Sequence, residues 1–221
     1  YAADNKGLTF SEKQKLKKAF EDTIYRSQYA FFSSVKLFME SDKRKKVYFP
    51  NAVKATLIKR AFIATVEDNV PKQVVIGFVG VLSNQINIKV LTTILKKKPE
   101  WKVQIVGKIN GDVSDEIQEL ARLFPQLEIF GPYYYEELYK YLPYFTVGIC
   151  PYIENDFNIY RNPMKIYEFA AFGVPTIVLG CQLDNEQAKF CYKANLDNVV
   201  PIIETAIKEK SRNYGEILKF A

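Results

Sequence analysis

Histidine is absent from this 221-residue sequence. That removes His-dependent nucleophilic triads, most zinc sites and the commonest general base from consideration. Cysteine is scarce: Cys150, Cys181 and Cys191 are the only three, with no CxxC spacing. An odd, unpatterned set reads as reduced thiols rather than a disulfide framework. No stretch nears the roughly 18 consecutive apolar residues of a membrane span. GxGxxG does not follow any strand-like run, and GxxxxGK[ST] does not occur, so the dinucleotide and P-loop readings fail on spacing. No Asp-x-Asp pair is offered to a divalent ion. Tyr1-Ala2-Ala3-Asp4 lacks the basic and apolar regions of a secretory signal. With no initiator Met, the natural start is expected upstream, and the protein is expected to be cytoplasmic.

What is present is a globular composition, 48% hydrophobic and 25% charged, enough to bury the core of one or two domains. The net charge of +6 is unevenly placed. The excess lies before residue 63, notably in Lys13-Gln14-Lys15-Leu16-Lys17-Lys18 and Lys43-Arg44-Lys45-Lys46. Solvated helix faces and a loop account for such runs, and so does attraction to an anionic membrane surface. Nucleic acid is not expected as a partner, because no aromatic-and-basic recognition motif accompanies the charge.

From Gln73 onward, short apolar runs alternate with helix-like stretches. Residues 74–79, 102–107, 127–131, 145–150 and 175–180 have the length and near-continuous hydrophobicity of buried strands. Residues 87–97, 112–123, 135–142 and 163–172 read as helices, with a sixth strand at 189–192 and a closing helix at about 197–209. This rhythm predicts an α/β domain with a doubly wound parallel sheet. The first 62 residues differ. A helix is predicted at 10–26, with Phe10, Leu16, Phe20 and Ile24 on its apolar stripe, then strands at 29–33 and 46–49 around a short helix. Residues 51–71 read as a mixed connector. Residues 1–62 are therefore expected to end one α/β domain, and 63–221 to form a second.

Ligands of doubly wound sheets bind beyond the carboxyl ends of the strands. Three predicted strands end there in glycine turns, at Gly80, Gly107 and Gly131, which either turn the chain or admit a ligand closely. The most informative segment is Arg161–Val178. Asn162 is a good N-cap, Pro163 a good first helical residue, and Gly173 a good stop. Ile166, Phe169 and Ala170 form the expected buried stripe. Lys165 is oddly placed, since a cation in the first turn opposes the helix dipole. An anion docked at the helix N-terminus would relieve that conflict. A surface ion pair with Glu168 is the alternative.

This segment resembles the P-x-K-x-Y-E-Y-x-A-x-G-x-P-V-V motif of the group 1 glycosyltransferases, through Pro163, Lys165, Tyr167, Glu168, Gly173 and Pro175. Pro50-Asn51-Ala52-Val53 resembles the P-N-G-V that precedes the donor-binding domain in that family. Ile76-Gly77-Phe78-Val79-Gly80, Lys98-Pro99-Glu100-Trp101 and Ile129-Phe130-Gly131-Pro132 are similar in order and spacing. The resemblance runs over residues 29–210. It implies the Rossmann-like donor half of a GT-B fold, preceded by a remnant of the acceptor domain.

By that resemblance, Glu168 binds the ribose of a nucleoside diphosphate sugar. Lys165, the N–H groups near Met164, Gly80 and Arg161 hold the diphosphate, while Gly107, Lys108, Pro132 and Tyr133 line the base pocket. Tyr133 also fits a plain helix-leading position. No cofactor and no metal are implied: the nucleotide sugar is the substrate, and the acceptor a glycan or lipid-linked glycan of cell-surface polymers. Peripheral membrane association is an accompanying expectation. The catalytic residues, including the family's histidine, are expected in N-terminal sequence not found here, and further helix is expected after Ala221. Two departures stand out: Tyr160 occupies the place of a Glu carried by many members, and Val81-Leu82-Ser83-Asn84 lacks their Arg and Lys. A sugar-nucleotide epimerase and a non-catalytic nucleotide-sugar-binding module are the alternatives on the same fold.

Overall fold

The computed structural model describes residues 9–66 and 73–218. The expectations for Tyr1–Asp4 and for the chain end at Phe220-Ala221 lie outside them. The N-terminal part runs α1 (Phe10–Arg26), β1 (Ala30–Phe32), α2 (Val35–Glu40), β2 (Lys46–Tyr48) and α3 (Ala55–Val66). The remainder runs β3 (Val75–Val79), α4 (Ile88–Lys97), β4 (Lys102–Val106), α5 (Gly111–Leu123), β5 (Leu127–Phe130), β6 (Val147–Pro151), α6 (Met164–Ala171), β7 (Thr176–Leu179), β8 (Cys191–Lys193) and α7 (Val199–Leu218).

Strands β3 to β8 form one parallel sheet in the order β5-β4-β3-β6-β7-β8, as the apolar runs predict. The chain builds outward from β3 to β5, then crosses back to β6 and builds the other way. The switch point thus lies between β3 and β6, and the turns leaving those strands flank the crevice where such sheets bind ligands. Strand β3 and strand β6 are buried along their whole length, consistent with helices on both faces. The short strands β1 and β2 pair parallel in a separate sheet.

Two glycines set how closely aromatic rings approach the sheet centre. Gly77 pairs with Gly148 across β3 and β6. A Cβ on Gly77 would fall 2.1 Å from the Phe145 ring, and one on Gly148 would fall 2.4 Å from the Phe169 ring. The two rings meet edge-on at 6.2 Å. Phe169 belongs to α6, so this helix rests on bare backbone.

Several local expectations are corrected. The predicted connector 51–71 contains a 12-residue helix, α3, which packs Leu57 and Ala61 into the core. Residue 62, the boundary drawn from the charge pattern, lies inside it. The predicted helix at 135–142 is a pair of 3-10 turns, Tyr135–Lys140 and Leu142–Tyr144, which meet at Tyr141, with Pro143 in the first turn of the second. Helix α1 begins with a Thr9–Glu12 capping box, but its predicted apolar stripe is not part of the core: no α1 residue is buried, and Phe10 is 77% exposed. Asn162 does not cap α6. Pro163 takes the N-cap position, without a side-chain cap bond, and the helix starts at Met164. Burial in α6 exceeds a stripe, since Ile166 to Ala171 are all buried, Glu168 among them.

Candidate functional site

The turns after β3 and β4 touch. Gly80 and Gly107 both have positive φ, at 114° and 142°. A Cβ on Gly107 would sit 2.1 Å from the Gly80 carbonyl oxygen, so only glycine fits. The Gly80 N–H donates to Val106 O at 2.9 Å, and the Gly107 N–H to Phe130 O at 3.1 Å. These bonds lock the carboxyl ends of β3, β4 and β5 into one floor.

Helix α6 overhangs that floor. The Lys165 ammonium lies 3.2 Å from where a Gly80 Cβ would be. It sits over the Phe78 ring at 4.2 Å and 5.4 Å from the Tyr152 ring centre. No ion pair or side-chain hydrogen bond among the described residues satisfies Lys165. Burial pushes its pKa below the usual lysine range. Glu168, one turn along, is 7% exposed and likewise makes no hydrogen bond or ion pair among the described residues. Burial raises its pKa, and the Lys165 charge opposes the rise only in part. The surface ion pair between Lys165 and Glu168 is therefore not formed. A buried, unpaired charge is costly unless something else completes it.

Arg161 stands beside Lys165. Its guanidinium is sandwiched between Tyr152 at 4.9 Å and Phe157 at 4.6 Å, and its Nε donates to Asn158 Oδ1 at 2.5 Å. Asn158 is fully buried and donates in turn to Ile153 O at 2.8 Å and Gln85 Oε1 at 3.2 Å. The loop after β6 is thus stitched to the loop after β3, and Arg161 is held against Tyr152 and Phe157, beside Lys165. Met164 begins α6 and is half exposed.

Tyr133 is half-buried against the core, its hydroxyl pKa pushed up to about 12 by burial and then by the Glu168 carboxylate. It therefore faces the same crevice as Glu168. Lys108 and Pro132 are exposed on the loops after β4 and β5, and no described hydrogen bond or ion pair ties the Lys108 ammonium to the cluster. The structure thus brings together Gly80, Gly107, Arg161, Met164, Lys165, Glu168 and Tyr133. Sequence reasoning missed Phe78, Tyr152, Asn158 and Gln85. Tyr152 had a legible signal, since it lies two residues past a predicted strand. Tyr160, in place of the expected Glu, donates to Glu40 Oε2 at 2.8 Å. Beside it a groove of about 700 Å³ opens between α1 and α2, lined by Phe20, Tyr25, Phe32, Glu40 and Tyr160 among others.

Among the described residues, no cluster of three or more Cys, Asp or Glu side chains is arranged to hold a metal ion. No described helix is long and apolar enough to cross a membrane.

Comparison with known proteins agrees with this geometry. The family model of the glycosyl transferases group 1 matches residues 73–199, more than half of the chain. The putative teichuronic acid biosynthesis glycosyltransferase TuaH of Bacillus subtilis is 35% identical over 106 residues, covering 47% of this chain and 26% of TuaH. Among solved structures, TarM superposes with a TM-score of 0.66 at 12% identity, covering 99% of this chain and 45% of TarM. The Anabaena protein HepE, solved in complex with UDP, gives a TM-score of 0.66 at 11% identity, covering 94% of this chain and 61% of HepE. The chain spans about half the length of these solved structures and matches about a quarter of TuaH. At such low identity the two structures show the fold, which is the GT-B fold expected from the sequence. The family match goes further, and by it this chain belongs to the group 1 glycosyl transferases.

Proposed function

We propose that the chain binds a nucleoside diphosphate sugar in the β3–β6 crevice and serves its transfer to a glycan or lipid-linked acceptor in cell-surface polysaccharide synthesis. One observation carries the reading: Glu168 is buried, Lys165 is half-buried over the Phe78 ring, and among the described residues neither charge has an ion pair or a side-chain hydrogen bond. A nucleoside diphosphate completes both. Its ribose diol suits the two acceptor oxygens of Glu168. Its diphosphate meets Lys165, Arg161, the Gly80 turn and the free N–H groups at Met164. Gly107, Lys108, Pro132 and Tyr133 border the base. The leaving diphosphate is stabilised by side-chain cations and a helix N-terminus, without a divalent ion.

Residues 1–62 fit the end of an acceptor domain, with the catalytic groups supplied from that side of the cleft. The outward face of β1 and β2 supports this, because Phe31 and Phe49 stack edge-on there and each is 67% exposed. An apolar sheet face of this kind is normally covered. The groove beside Tyr160 then faces the acceptor. The lysines of α1 and of residues 43–46 would hold the protein at the cytoplasmic surface of an anionic membrane.

Isothermal titration with UDP, GDP, ADP and TDP, with and without EDTA, tests the binding. UDP is the first choice because HepE was solved with it. Binding that survives EDTA and is lost in Glu168→Ala is the expected result. No binding of any nucleoside diphosphate overturns the reading. Transfer from the best-binding nucleotide sugar to a membrane lipid extract then separates a transferase from a module that only binds.

A further inference from the structure

The Pro50-Asn51-Ala52-Val53 segment lies outside the donor crevice, yet its asparagine reaches the peptide that leads into α6. The Asn51 Nδ2 donates to the Asn162 carbonyl at 2.6 Å, across 111 positions of sequence. That carbonyl belongs to the Asn162–Pro163 peptide, which has no N–H. The oxygen is therefore the only handle by which a hydrogen bond can fix this peptide plane. The side chain of Asn162 is also engaged. Its Nδ2 donates to the Ser33 carbonyl, just past β1, and its Oδ1 accepts from Gln187 Nε2 at 2.8 Å. Gln187, buried, bonds the Tyr167 hydroxyl of α6 at 2.9 Å and the Asp184 carboxylate through its own N–H at 2.7 Å. Asp184 in turn accepts from the Tyr48 hydroxyl of β2.

Two groups at the carboxyl ends of β1 and β2, the Asn51 amide and the Ser33 carbonyl, thus converge on Asn162, between Arg161 and Lys165, while the Tyr48 hydroxyl reaches it only through Asp184 and Gln187. We propose that Asn51 is a positioning residue of the nucleotide site: through Asn162 it sets the orientation of Arg161 and Lys165 from outside the donor domain. The inference rests on the reading of those two cations as diphosphate ligands. Glu168 has anchors that do not involve Asn51: its neighbour Phe169 is fixed against Gly148, and its neighbour Tyr167 is bonded to Gln187. Loss of the Asn51 bond should therefore loosen the diphosphate end of the site and leave the nucleoside end in place.

The test is Asn51→Leu, of similar volume but unable to donate, in the full 221-residue chain. Hydrogen–deuterium exchange needs no ligand, and amides between 161 and 166 are expected to exchange about tenfold faster, with β4 unchanged. UDP binding should weaken about tenfold, the worth of one hydrogen bond, and uridine binding less than about twofold. Asn51→Ala, which also cannot donate, carries the same expectations if the leucine variant fails to fold. Unchanged exchange over 161–166 overturns the clamp. Faster exchange with UDP unaffected, or with UDP and uridine weakened alike, overturns its positioning role. A wild-type chain that binds neither compound overturns the nucleotide reading instead, while the exchange rates still decide whether Asn51 holds Asn162.

Discussion

Lys165 and Glu168 stand one turn apart on the same buried helix, with opposite charges, and do not pair. Helical neighbours three apart ordinarily meet on the surface for a few tenths of a kcal/mol. Here each side chain turns into the crevice, the lysine over Phe78 and the glutamate toward Tyr133. The unmade contact marks the place where a ligand would supply both missing partners.

Replacing Glu168 by Ala should weaken a nucleoside diphosphate by about 1.5–3 kcal/mol, the worth of charge-assisted hydrogen bonds. Calorimetry with the best-binding nucleotide measures it. Unchanged affinity would remove Glu168 from the ribose.

Lys165→Met should behave differently. It keeps the apolar stem against Phe78 and removes the charge, so UDP should weaken by tenfold or more, about 1.4 kcal/mol. Uridine should be almost unaffected. Parallel losses for the two would show that Lys165 does not read the diphosphate.

Glu168 also predicts a pH dependence. Its folded carboxyl titrates above the ordinary value, so the native state holds a proton that the unfolded chain has already released. Stability contributed by that proton is full below the ordinary carboxyl range and falls as pH rises through the raised value. Glu168→Gln should flatten this fall in urea-melt midpoints recorded from pH 4 upward. An identical profile in the variant would mean that Glu168 titrates as an ordinary exposed carboxyl.

The two floor glycines should separate stability from binding. Gly107→Ala forces a methyl against the Gly80 carbonyl at a positive φ, and should cost about 3 kcal/mol or more. At Gly80 the added methyl meets only the movable end of Lys165, leaving φ strain of about 1–3 kcal/mol. Gly80→Ala should therefore lose UDP binding more than it loses thermal stability. Thermal melts read beside titrations would refute this if both variants shifted the two quantities in the same ratio.

The parallel sheet was legible because buried strands write themselves as unbroken apolar runs, and β3 to β7 fall on them. Helix α3 was not, since its mixed pattern in residues 55–66 is resolved only by what Leu57 and Ala61 pack against. The stripe on α1 was read correctly as apolar, yet no α1 residue is buried; periodicity names a face without naming its partner. Lys165 could be picked out from the dipole argument alone. Its aromatic surroundings could not, because bringing Phe78 next to Tyr152 requires β3 and β6 to be neighbours, a long-range outcome. Asn162 failed as a cap for the same reason: Ser33 and Gln187, distant in sequence, engage its side chain.

The paired glycines beneath α6 limit how this protein can be altered. Gly77 and Gly148 touch no nucleotide on any reading of the site, yet a single methyl on either would drive a phenyl ring outward. From Gly148 the displacement would pass through Phe169 to Glu168, its immediate neighbour. On the proposed reading, in which Lys108 and Pro132 border the base, attempts to change nucleotide preference have freedom in the exposed loops that bear them. The elevation of α6 above the sheet offers no such latitude. It is defined by atoms that the two glycines lack, and a library varied at those positions should return almost only the parent.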